Sequence, residues 1–142
     1  MIRHFNIENY TNFNDEQANK FGLFTCDSCT ISVWTLTKGQ AVPMHCHQDG
    51  EEILIINSGK GYLLTSEDNE NITNAYEPNP YKVVLPTPKN EAFHANKQKV
   101  GTGSCIFVPK ATFHGFENLD DENMVVLSIA FPQYIRCKYL PR

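Results

Sequence analysis

The sequence predicts an all-β fold, a sandwich or barrel of short strands, on three observations. Strand-type runs are frequent, each short and bounded by Gly, Pro, Asn or Asp. Helical signals are weak, and only Asn14 to Phe21 runs free of breakers for two turns, with Asn14 or Asp15 as its cap. The chain has 142 residues, 41% of them hydrophobic, enough for one domain to bury a core without disulfides or a structural metal.

The expected strands follow in chain order. Ile31 to Leu36 is β-branched and aromatic. Gln40–Met44, Ile53–Ile56 and Tyr62–Thr65 come next, and the fully apolar Ile53–Ile56 run suggests burial on both faces. The rhythm then breaks. Ser66 to Thr102 carries Pro78, Pro80, Pro86 and Pro88 among many asparagines, with Lys82–Leu85 as its single good strand. It reads as a long excursion between two halves of the sheet structure. Cys105–Val108, Thr112–Phe116 and Met124–Phe131 complete the set, and Ser128 interrupts the last, otherwise apolar run. No composition shift marks a boundary, so residues 1–142 read as one domain.

Composition excludes several classes. A formal net charge of -4 leaves little for the basic face that nucleic-acid binding needs, and the tail residues Arg136, Lys138 and Arg142 are too few to make one. The apolar run at Met124–Phe131 is far short of the roughly 20 residues of a membrane helix. Residues 1–4 open no signal-peptide core. Five cysteines, an odd number, do not suit a secreted disulfide scaffold, so a reducing, cytoplasmic setting is expected. Cys26 and Cys29 have CxxC spacing but neither a βαβ setting nor a second pair, and read as two unrelated thiols on a loop. Cys105 and Cys137 read as small, at least partly buried apolar groups. No G-x-S-x-G supports a serine nucleophile. His94 reads as a solvated loop residue and His4 as a strand end.

The remaining histidines carry the chemistry. His45 and His47 are two apart, so on a strand both rings project to one face while Cys46 points away. A turn through Gln48–Gly50 brings the carboxylates of Glu51 and Glu52 back towards them. His114, on a separate strand, can supply a further nitrogen. Imidazole and carboxylate donors suit Zn, Fe, Mn, Ni or Cu. Such a set leaves one or two positions open on a five- or six-coordinate ion, an arrangement typical of catalytic sites. Phe116 shares parity with His114 and Phe113 opposes it. On the last strand Leu127, Ile129 and Phe131 alternate with Val126, Ser128 and Ala130. One set from each strand must face inward, so an apolar interior round the metal is expected.

At these residues the chain resembles the cupin superfamily. Gly39, His45, His47, Glu52 and Gly59 match every position of the first cupin motif, G-x5-H-x-H-x(3,4)-E-x6-G, and only Glu52, not Glu51, leaves the required gap before Gly59. Gly103, Pro109, His114 and Asn118 match the second, G-x5-P-x-G-x2-H-x3-N, with Ala111 in place of its second glycine; that demands a negative φ or some strain at the turn. The motifs occupy 39–59 and 103–118, with the excursion at 60–102 between them.

The resemblance implies a jelly-roll antiparallel β-barrel holding one divalent transition metal on His45, His47, Glu52 and His114, in a homodimer. It implies an enzyme acting on a small organic molecule, with dioxygenase-like oxidative chemistry favoured. The alternatives are a metal-dependent isomerase, lyase or decarboxylase, or a non-catalytic small-molecule-binding protein. Glu52 would be an anionic ligand or, swung off, a general base, and Tyr62 a weaker candidate for a proton donor beside the metal. The excursion, rather than the ligands, is expected to carry substrate specificity.

Overall fold

The computed structural model describes residues 1–66, 95–132 and 137–139. Ten strands follow a 3-10 turn at Ile7–Tyr10: β1 Asn19–Thr25, β2 Thr30–Leu36, β3 Ala41–His47, β4 Glu51–Ser58, β5 Lys60–Ser66, β6 Ala95–Gly101, β7 Cys105–Val108, β8 His114–Glu117, β9 Met124–Phe131 and β10 Cys137–Tyr139. They form two five-stranded sheets, in the orders β1-β2-β9-β4-β7 and β10-β3-β8-β5-β6, and every pairing is antiparallel. The sheets face one another as a sandwich-like barrel rather than closing into one hydrogen-bonded ring. Among the described residues no helix is long and apolar enough to cross a membrane.

Seven expected strands are present, β4 and β5 extending beyond their expected bounds at both ends. The one stretch able to make a helix, Asn14–Phe21, does not form one. Asn14 instead closes a local turn by accepting the Glu16 amide at 2.8 Å, and β1 begins at Asn19. Tertiary pairing overrides the weak helical signal, because β2 offers β1 an antiparallel ladder from Asn19↔Thr35 to Thr25↔Thr30, interrupted by one bulge between Gly22 and Phe24. The lysine of β1, Lys20, lies over the Trp34 ring at 5.3 Å. His4 precedes the 3-10 turn and is not at a strand end.

The excursion is also corrected. Its two ends are strands that pair with each other in unbroken register, from Lys60↔Gly101 to Ser66↔Ala95. β6 carries the sequence ANKQKVG, without apolar alternation, and lies at a sheet edge. The expected strand Lys82–Leu85 and His94 lie outside the described residues.

Period-2 alternation divides the interior into two ends. Trp34, Leu36, Val42, Leu54, Ile56, Val108, Phe116, Met124 and Val126 form the buried cluster between the sheets. The Trp34 and Phe116 rings, one from each sheet, meet edge to face with centroids 6.0 Å apart. Each fully buried aliphatic side chain here is worth about 1.5–3 kcal/mol. Following the same faces along β4 and β9, Leu54 and Ile56 lead to Glu52, and Val126 leads to Ser128, all buried. The barrel is therefore apolar at one end and polar at the other. The interior set on β9 is Val126, Ser128 and Ala130, which leaves Leu127, Ile129 and Phe131 outside. Cys105 is exposed rather than buried, because β7 turns Val108 inward and places Cys105 and Phe107 on the outer face.

Candidate metal centre

Three strands build the polar end. β3 brings His45 and His47, β4 brings Glu52 and β8 brings His114. All four side chains are buried, His114 to 1% exposure and Glu52 to 4%, and their candidate ligand atoms lie within 4.8 Å of one another. Glu51, one residue earlier, is exposed. The chain thus presents to the histidines the carboxylate that motif spacing selected.

A bulge aims β3. Its register to β8 runs Val42↔Phe116 and then His45↔His114, so three steps on β3 oppose two on β8. Val42 belongs to the apolar interior cluster and His45 to the histidine cluster. In a regular strand residues three apart would face opposite ways, and the extra residue at Pro43–Met44 returns His45 to the inside. Gly115 makes room for the bulge: a Cβ there would lie 2.6 Å from the Val42 carbonyl oxygen, closer than any side chain tolerates.

Hydrogen bonds then fix the rings. His45 Nδ1 lies 2.7 Å from the Pro43 carbonyl oxygen and His114 Nδ1 lies 2.9 Å from that of Thr112. A carbonyl only accepts, so each Nδ1 carries a proton and Nε2 is the ring atom turned to the cluster, as metal-binding histidines are commonly set. Glu52 spans the cluster. Oε1 is 3.1 Å from His114 Nε2, and Oε2 is 3.5 Å from His47 Nε2 and accepts the Ser128 hydroxyl at 2.8 Å. Burial alone would raise the Glu52 pKa, but hydrogen bonds and charge from His114 and His47 outweigh it and hold the carboxyl well below the carboxylate range. Burial, with His114 and His47 close by, pushes His45 well below the usual histidine value, which keeps it a neutral donor.

The donors fit a transition-metal ion. His114 Nε2 and His47 Nε2 both face Glu52 oxygens, so a cation bound there would meet two imidazole nitrogens and a carboxylate together. Metal–ligand bonds of about 2.0–2.2 Å place opposite ligand atoms up to about 4.4 Å apart, within a few tenths of an ångström of the observed spread.

The turn before His114 is tied to the ligand strand, since the Ala111 amide donates to the His47 carbonyl at 2.8 Å. Ala111 takes φ 59°, so of the two options the substitution allowed, strain is the one realised. The two motifs also close on each other. The Gly39 amide donates to the Asn118 carbonyl at 2.6 Å, and the Asn118 amide donates to the Gln40 carbonyl at 2.9 Å.

Tyr62 is not brought to this site. Thr65 opposes His114 on β5, so Tyr62, three residues earlier and opposite Glu117, belongs to the other face of the sheet. It packs there against Met44, Cys46, Leu64 and Phe113. Ser128 is the residue sequence reasoning missed; its signal was the break it makes in the apolar run of β9.

Facing sheets with a buried three-histidine, one-glutamate cluster at one end define a jelly-roll barrel with an internal site that could hold a metal ion. The family model described as Cupin matches residues 4–134, and the chain belongs to that family. No functionally curated protein matches it in sequence. Similar solved structures include a Klebsiella pneumoniae protein with a double-stranded β-helix domain, 13% identical over 100% of both chains with a TM-score of 0.75. An RmlC-like cupin protein from Desulfovibrio desulfuricans is 19% identical, covering 93% of this chain and 98% of its own, with a TM-score of 0.68. A variant of Bacillus subtilis oxalate decarboxylase is 18% identical over 90% of this chain and 29% of its own, with a TM-score of 0.64. These likenesses concern the fold.

Proposed function

We propose that the chain is a metal-dependent enzyme acting on a small organic molecule by dioxygenase-like oxidative chemistry. The observation that carries this reading is the buried donor set: two histidines whose Nδ1 protons are tied to carbonyls, a third histidine, and a carboxylate, converging within 4.8 Å. In this role His45, His47 and His114 are neutral nitrogen ligands and Glu52 is the anionic one. An iron or nickel ion held there would supply Lewis-acid and dioxygen chemistry at its remaining positions. The chain's part is to exclude water through the packed apolar end, to fix the imidazoles, and to hold Glu52 ionised. Glu52 would act as a general base only if it swung away from the metal and from the His114 and His47 contacts that depress its pKa.

A second reading is a decarboxylase or isomerase that needs no dioxygen. It is favoured by the similarity in fold to oxalate decarboxylase, which stands beside a fold similarity to an oxalate oxidase with a TM-score of 0.57. Metal analysis of the purified protein, followed by oxygen uptake with diketones, flavonols, thiols and 2-oxo acids, separates the two. Iron or nickel with substrate-dependent uptake is the expected result. Zinc or manganese without uptake selects the second reading. Both require the His47→Ala variant to lose its metal, and full retention would refute the site itself.

A further inference from the structure

We propose that Cys26 and Cys29 form a thiol–disulfide exchange site at the tip of the β1–β2 hairpin, where Cys26 attacks a low-molecular-weight disulfide and Cys29 closes the internal disulfide. The sequence suggests two unrelated thiols, but the fold sets them face to face. Thr25↔Thr30 is the last pair of the β1–β2 ladder, so Cys26 and Cys29 are the next to oppose each other across Asp27 and Ser28. The Cys26 amide closes that turn by donating to the Cys29 carbonyl at 3.0 Å. The two sulfurs are 3.8 Å apart, and both residues are half-buried, open to a small reagent. A disulfide needs about 2.05 Å, so the sulfurs must close by roughly 1.8 Å, within reach of side-chain rotation at a hairpin tip.

The two thiols are unequal. Backbone amides of Ser28 and Cys29 point at the Cys26 sulfur and lower its pKa, while desolvation and the neighbouring Cys26 raise that of Cys29. Cys26 is therefore the thiolate that attacks first and Cys29 the resolving group. The chemistry balances with a small disulfide RSSR as oxidant. Cys26 thiolate bonds to one sulfur, the S–S bond of the reagent breaks, and RS⁻ leaves. Cys29, giving up its proton, attacks the Cys26 sulfur and releases the second RS⁻. The chain is oxidised by two electrons and the reagent is reduced to two thiols. This site is on the turn between β1 and β2, apart from the strands β3, β4 and β8 that carry the candidate metal cluster, and does not depend on the metal reading.

Glutathione disulfide is the probe. The reduced full-length protein is incubated with it at neutral pH, quenched in acid and mapped by peptide mass spectrometry. The expected wild-type product has lost two hydrogens in the peptide holding Cys26 and Cys29, with two glutathiones released per chain. Cys29→Ser should accumulate one glutathionyl group on Cys26, and Cys26→Ser should react several-fold more slowly at position 29. Thermal melts of both variants verify that the exposed tip tolerates the change. Modification confined to the exposed Cys105 in the wild type, or equal trapping rates in the two variants, would overturn the proposal.

Discussion

Ser128 holds Glu52 from behind. Its hydroxyl donates to Oε2 at 2.8 Å while Oε1 faces His114, so the carboxylate is oriented by one hydroxyl and two imidazoles. Outer hydrogen bonds of this kind typically change metal affinity about 10–100-fold. Ser128→Ala should therefore weaken metal binding about 10-fold with little loss of fold, read by competition with a chelator of known affinity. Unchanged affinity would show that Ser128 only fills space. At this scale the candidate ligands were legible: the spacing of His45, His47 and Glu52 before Gly59 is visible in the chain, and Glu52 rather than Glu51 is the buried one. The support was not, because the break that Ser128 makes in β9 does not reveal which carboxylate lies opposite. Tyr62 was misplaced for a related reason, since nothing local says which face of β5 is inside.

At the scale of elements, turns and bulges set the geometry. Asn118 is fully buried between the two motifs. Its side-chain amide donates to the carbonyls of Leu36 at 3.1 Å and Glu122 at 2.8 Å, and its oxygen accepts the Asp120 amide at 3.0 Å. Asn118→Ala would leave the buried Leu36 carbonyl short of a partner. It should cost about 2–4 kcal/mol, seen as a lower urea midpoint at unchanged slope. A loss within about 0.5 kcal/mol would mean that water replaces those bonds. The asparagine was visible as a motif position, but the job it does was not. β1, β6 and β10 were missed, as each is an edge strand whose pairing is decided by its neighbour.

For the whole molecule, the division of the interior into an apolar end and a charged end couples stability to pH. In the folded chain Glu52 and His45 both titrate below their ordinary values, 4.5 and 6.5. The unfolded chain then binds more protons, so stability rises with pH across that window and falls on acidification. Metal-free protein should lose melting temperature progressively below pH 6.5, as unfolded His45 takes up a proton the fold refuses, and more steeply below 4.5, where Glu52 joins it. A melting temperature flat from pH 7 to 4 would contradict this balance. The sequence by itself determined the all-β class, the cupin motifs, the donor types and the choice of Glu52, because these depend on residue identity and spacing along one chain. Tertiary structure decided the faces: which alternate set on β9 turns inward, the bulge that returns His45 to the interior, the outward side of Tyr62, and the meeting of Cys26 with Cys29. Strand periodicity says only that residues share a face, and the opposing sheet and the register of each ladder determine which face is buried.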